Sequence, residues 1–177
     1  MRLAPLTALR KLILLGNQQS ELKIPEGSFQ ELEVLDVSYN LLDDTAVIAL
    51  SSLPSLRKLN MNNNNLELIP PEATETGAFV RLETLCVAGN SLSSTSLLSL
   101  SKLPWLETLH LHKNHIDGIP VQIVSMARAF SRLETLDLAE NPINYHHNLI
   151  ALEKLQKLRK VQLTITFDYT IKPLCNC

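Results

Sequence analysis

The chain has 177 residues, of which 45% are hydrophobic and only 5% aromatic, and its formal net charge is −2. That length suits one domain with an aliphatic core, and the charge lacks the cationic excess that neutralises nucleic-acid phosphates. No apolar run approaches the roughly 20 residues that span a bilayer, so neither nucleic acid nor membrane is expected as a partner.

In chain order the predicted elements repeat one string, Leu-x-x-Leu-x-Leu-x-x-Asn. It reads Leu9-Leu12-Leu14-Asn17, Leu32-Leu35-Val37-Asn40, Leu56-Leu59-Met61-Asn64, Leu82-Leu85-Val87-Asn90, Leu106-Leu109-Leu111-Asn114 and Leu133-Leu136-Leu138-Asn141. A seventh copy, Leu158-Val161-Leu163, carries Thr166 where the Asn would stand. Leu35 and Val37 alternate with Asp36, which predicts a short strand with its apolar side chains inward. The chain must then turn sharply, and an Asn amide can satisfy both the donors and the acceptors left at that turn. Asn17, Asn40, Asn64, Asn90, Asn114 and Asn141 are therefore expected to form a buried ladder between coils. Stacking the strands in parallel, about 4.8 Å apart, makes a sheet with one face open to solvent.

Successive Asn residues are 23, 24, 26, 24 and 27 apart, because two repeat types alternate. One returns through an Ile-Pro pair (Ile24-Pro25, Ile69-Pro70, Ile119-Pro120). The other returns through a short helix beginning near Asp43-Asp44-Thr45 or Ser93-Ser94-Thr95, whose acidic and hydroxyl side chains suit helix starts. The residue three before the first Leu alternates in step, as Leu6, Phe29, Leu53, Phe79, Leu103, Phe130 and Leu155. These predict a convex spine with a packing role.

On these motifs residues 3–166 resemble the leucine-rich-repeat superfamily. The implied fold is an α/β leucine-rich-repeat solenoid: a curved, concave parallel sheet of about seven strands, backed by short helices and irregular returns. The expected division is a repeat domain at 1–166 and a tail at 167–177. The runs Leu32-Glu33-Val34-Leu35-Asp36-Val37-Ser38-Tyr39-Asn40, Leu53-Pro54-Ser55-Leu56-Arg57 and Leu68-Ile69-Pro70-Pro71 further resemble the X-ray radiation resistance-associated protein family, over residues 22–141. That resemblance implies a non-enzymatic intracellular repeat protein and supplies no functional residues. Met1 lies eight residues before the first consensus Leu, leaving no N-terminal cap, so a fragment, an isoform or a part of an assembly is expected.

Cysteine usage agrees with an intracellular setting. Cys86, Cys175 and Cys177 are odd in number, no cluster flanks the repeats, and no Asn-x-Ser/Thr site occurs. Arg10 and Lys11 also break the one apolar run near the start, which speaks against a secretory leader. Cys175-Asn176-Cys177 lacks a second Cys pair or a His partner and reads as a tail. His146-His147 reads as a solvated loop.

The variable strand positions set the concave face. Its central column is Ile13, Asp36, Asn60, Cys86, His110, Asp137 and Gln162, and the next is Leu15, Ser38, Asn62, Ala88, His112, Ala139 and Thr164. Cys86, His110 and Asp137 on adjacent strands resemble a nucleophilic triad, but a parallel sheet supplies no oxyanion donors and an open concave face does not exclude water. A metal site drawn from Cys86, His110, His112, His115 and Asp137 would need its ligands to converge, and a sheet surface is expected to spread them. No catalytic site, cofactor, metal or small-molecule substrate is therefore expected.

The position after the first Leu reads Arg10, Glu33, Arg57, Glu83, Glu107, Glu134 and Arg159. Its first four members can pair laterally, whereas Glu83, Glu107 and Glu134 predict an unneutralised acidic row. The expected binding surface is Asn60, Asn62, Glu83, Glu107, His110, His112, Glu134 and Asp137, docking a protein with a basic surface. The rival reading is a component of a filamentous lattice, microtubule or axoneme in type, that uses its edges and convex side.

Overall fold

A computed structural model describes residues 6–75, 77–143 and 149–164. Seven strands carry the repeats: β1 (Lys11–Ile13), β2 (Val34–Asp36), β3 (Lys58–Asn60), β4 (Thr84–Cys86), β5 (Thr108–His110), β6 (Thr135–Leu138) and β7 (Lys160–Leu163). All neighbours are parallel, and their spatial order is their chain order, so the sheet is open and not closed on itself. The register follows the repeat. Leu12, Leu35, Leu59, Leu85, Leu109, Leu136 and Val161 are successive lateral partners. Because strand side chains alternate, that alignment puts every consensus aliphatic on one face and every variable residue on the other.

The convex side holds α1 (Asp44–Ser51), α2 (Thr95–Leu100), α3 (Gln122–Ser125), α4 (Leu149–Glu153) and a 3₁₀ turn at Pro71–Thr74. One continuous core lies between it and the sheet. Phe79, Phe130, Leu53, Leu103 and Leu155 are buried as the alternating spine requires. Phe29 is only partly buried, and Leu6, at the start of the described chain, is 42% exposed. None of the described helices is long and apolar enough to cross a membrane.

The ladder is built as the turn chemistry demands. Asn90 accepts the Asn64 and Leu66 N–H groups at Oδ1, and donates from Nδ2 to the carbonyls of Met61, Val87 and Ala88. Each such amide joins its own turn to the coil before it. Asn40, Asn64, Asn114 and Asn141 repeat the pattern and are buried. Asn17 departs from the expectation. It is exposed and its side chain donates only to Leu15 O, because no earlier coil among the described residues offers it partners.

The residue before every ladder Asn adopts left-handed backbone: Gly16, Tyr39, Asn63, Gly89, Lys113 and Glu140 have φ between 53° and 69°. For the four non-glycines this conformation costs on the order of 1 kcal/mol, which the surrounding bonds hold in place.

The returns differ in detail from expectation. Asp43 caps α1 by accepting the Thr45 N–H at 3.0 Å, as its position predicted. Ser94 precedes α2 but makes no cap bond; its Oγ instead accepts the Asp117 and Gly118 N–H groups of the next coil. Asp44 does the same one tandem unit earlier, accepting Glu67 and Leu68 N–H. The Ile-Pro returns are not wholly irregular, since Pro70 leads into the 3₁₀ turn and Pro120 precedes α3.

Candidate functional site on the open sheet face

Residues at 34, 36 and 38 and their lateral equivalents face away from the core, because those at 35 and 37 are buried in it. At β1 this face is apolar, with Ile13 and Leu15 about half exposed (55% and 52%). From β2 onward it is largely polar, and on β2 and β3 it is bonded to itself. Asp36 Oδ1 accepts from the Ser38 N–H and hydroxyl, and Asp36 Oδ2 accepts from Asn60 Nδ2 at 3.1 Å. Asn60 Oδ1 accepts the Asn62 N–H, and Asn62 Oδ1 accepts the Ala88 N–H at 2.7 Å. Asn60 and Asn62 are thus half-buried parts of a network, with part of their polarity already used.

Cys86, His110 and Asp137 are lateral partners on β4, β5 and β6, as the repeat register implies. They do not form a nucleophilic relay. Among the described residues no hydrogen bond joins Cys86 to His110, and the nearer imidazole to Asp137 is His112, with Nδ1 3.0 Å from Oδ2 against 3.6 Å for His110. Burial, aided by the Asp36 charge, pushes the Cys86 thiol up and keeps it protonated.

The expectation that the sheet would spread the imidazoles is wrong for three residues. His110, His112 and Asp137 bring one potential ligand atom each to within 4.8 Å of one another. Strand alternation puts both histidines on one face, and lateral pairing adds the carboxylate. Cys86 and the exposed His115 do not join this group. Asp137 is buried rather than exposed, and its Oδ1 accepts the Ala139 N–H.

The acidic row is also not as expected. Arg57 holds Glu83 through Nε and Nη2, both at 2.9 Å, and Arg159 Nη1 lies 3.8 Å from Glu134. Arginines on the neighbouring strands reach the carboxylates at either end of the trio, and the Glu83 contact raises the Arg57 pKa above its ordinary value. Only Glu107, which is exposed, has no ion pair among the described residues. Arg10–Glu33 and Arg57–Glu83 are the lateral pairs predicted for the first four members of the row, and Arg10 also reaches Glu31.

Sequence reasoning passed over Trp105, the chain's single tryptophan. It occupies the position before a first consensus Leu, at the N-terminal edge of β5, and is 42% exposed. The Arg132 guanidinium lies 3.8 Å from its ring centroid. A shallow groove of about 440 Å³ runs from it past Arg81, Glu83 and Ser55. Lys102 and Arg128 line a second hollow together with the ring. Arg81, Lys102, Arg128 and Arg132 have no ion pair among the described residues. The signal that marked the spot was a large aromatic at an edge position where the other repeats carry Ala8, Glu31, Ser55, Arg81, Arg132 and Lys157.

His146, His147, Thr166, Cys175 and Cys177 lie outside the described residues, so the tail and loop readings are not addressed by the structure.

The Leucine rich repeat family model matches residues 30–76. No curated protein matches the chain. Similar solved structures include the Drosophila Toll–Spatzle complex, at 22% identity and TM-score 0.63, covering 92% of this chain and 24% of that one. The mouse RP105/MD-1 complex matches at 23% identity and TM-score 0.62, covering 77% and 22%. Internalin C2 of Listeria monocytogenes matches at 23% identity and TM-score 0.55, covering 76% and 62%. The chain therefore spans between 22% and 62% of the length of these relatives. Together with the seven-stranded parallel sheet and its buried Asn turns, these likenesses establish the fold as a leucine-rich-repeat solenoid.

Proposed function

We propose that the chain is a protein-interaction scaffold that holds a partner against the open face of its sheet. The observation that carries this reading is the face itself. Asn60 and Asn62 in the β3 repeat and His110 and His112 in the β5 repeat stand half-exposed, while the core is complete on the other side. Folding needs aliphatic residues beneath these strands but does not need imidazoles above them. The reading is supported by the two similar structures solved as complexes with another protein, Spatzle with Toll and MD-1 with RP105. The partner's contact surface is basic opposite Glu107, a narrower demand than a three-carboxylate row would make.

We further read the chain as intracellular and non-enzymatic, with kinship to the X-ray radiation resistance-associated family over residues 22–141 and no nucleic-acid, membrane or small-molecule partner. Co-purification from cells tests the docking face. Glu107→Lys with His112→Ala should deplete the partner while leaving the fold intact by circular dichroism, and full retention would refute the reading.

A second reading, a component of a filamentous assembly, is favoured by one observation. Trp105 stands half-exposed at the sheet edge among Arg81, Lys102, Arg128 and Arg132, where a lattice neighbour would contact it. Trp105→Ala should leave the scaffold's partner bound, but would abolish incorporation into such an assembly.

A further inference from the structure

His110 lies at the end of β5 and His112 two residues on, so both project from the solvent face, and Asp137 is the lateral partner of His110 on β6. The carboxylate is nearly enclosed, with 10% of the Asp137 side chain exposed. Its Oδ1 is fixed by the Ala139 N–H at 3.1 Å, which leaves Oδ2 turned toward the two rings. His112 Nδ1 lies 3.0 Å from Oδ2 and His110 Nδ1 lies 3.6 Å from it. The second separation is too long for a hydrogen bond, so the His110 nitrogen is aimed at the carboxylate without bonding it.

His112 and Asp137 are joined by a direct hydrogen bond, which a bound ion would replace with only a small widening. Tetrahedral zinc with bonds of about 2.0–2.2 Å holds neighbouring ligand atoms about 3.3–3.6 Å apart. The observed 3.0 and 3.6 Å lie close to that range, and the three residues each bring one potential ligand atom to within 4.8 Å of the others. Two imidazoles and one carboxylate suit zinc-class transition metals. Magnesium and calcium prefer shells made wholly of oxygen.

We propose that His110, His112 and Asp137 form a three-ligand site for a zinc-class divalent ion, its fourth position open to the sheet face. The ion would tie β5 to β6 and place a positive centre on the polar half of that face. Its open position holds water in the free chain and is available to a carboxylate or imidazole of a bound protein. Asp137 acts as ligand through Oδ2, while the Ala139 N–H on Oδ1 fixes its orientation, as outer partners do in metal sites.

The test is made on the full chain without any partner, so it is independent of the docking proposal. Zinc chloride is titrated calorimetrically into metal-stripped, reduced protein, and cobalt is added in parallel for its visible absorption. Expected are one ion per chain, tetrahedral cobalt bands, and a loss of affinity of at least about 100-fold in both His110→Ala and His112→Ala. His110 makes no side-chain hydrogen bond among the described residues, so its variant keeps the fold, which a circular dichroism melt verifies. Cys86→Ser should bind as wild type does. The proposal is overturned if zinc shows no saturable binding. It is equally overturned if binding is undiminished in the two His→Ala variants, which would place the ion on other residues.

Discussion

Arg57 and Glu83, on neighbouring repeats, form a two-point contact in which Nε and Nη2 of the arginine each donate at 2.9 Å to the carboxylate. The contact removes one end of what would otherwise be an acidic row, and Arg159 on Glu134 removes the other. Both pairs are substantially solvated, so their worth is small. A double-mutant cycle of Arg57→Ala and Glu83→Ala should give a coupling below about 1 kcal/mol, decreasing with added salt. A coupling of several kcal/mol insensitive to salt would show that the pair is structural.

The Asn ladder makes a position-specific stability prediction. Asn90→Ala removes two accepted and three donated bonds in a buried setting, whereas Asn17→Ala removes one exposed bond. Urea denaturation should show Asn90→Ala destabilised by at least about 1–3 kcal/mol and Asn17→Ala by only a few tenths. Equal effects at the two positions would contradict the ladder.

Asp43 and Asp44 are convex acids with separate structural tasks, the first capping α1 and the second holding the Glu67 and Leu68 N–H groups of the next coil. Asp43→Ala should cost about 0.5–2 kcal/mol through loss of the helix cap. The Thr45 hydroxyl, followed by its backbone N–H, holds the Asp43 carboxyl below its ordinary value of 3.8. A depressed folded pKa means the stabilisation is fully present above the unfolded value and is lost as pH falls through the folded one. The stability difference between wild type and Asp43→Ala should therefore be flat at neutral pH and shrink as pH falls through the usual carboxylate range and below it. A difference that changes between neutral and mildly acidic pH would exclude this origin.

Cys86 should be a slow nucleophile. Burial and Asp36 raise its thiol pKa, so its alkylation, followed by mass spectrometry of the Cys86 peptide, should lag a free thiol near pH 8 and have a midpoint shifted upward. Reaction faster than a free thiol would revive the nucleophilic reading.

The aliphatic positions and the ladder Asn residues were legible because each obeys one periodic rule, and the register of all seven strands followed from aligning Leu12 with Leu35 and its successors. What escaped were relations between repeats that the string does not encode. Tyr39, Lys113 and Glu140 take left-handed backbone with no glycine to announce it. Ser94 has the composition of a helix cap, yet the next coil offers it better donors at Asp117 and Gly118. The Arg159–Glu134 contact depended on side-chain reach across a strand spacing, and the convergence of His110, His112 and Asp137 on ring and carboxylate orientation. Trp105 was hidden because an edge position outside the consensus carries no periodic signal.

Site-specific photo-crosslinking tests the account's central claim most directly. A photoreactive residue is placed in turn at Asn62 on the sheet face, at Trp105 on the edge and at Val121 on the convex side, where the native side chain is 69% exposed. The scaffold reading predicts a discrete adduct from position 62, reduced by Glu107→Lys, and none from position 121. Adducts from positions 105 and 121 with none from 62 would contradict it and establish the edge and convex side as the working surface.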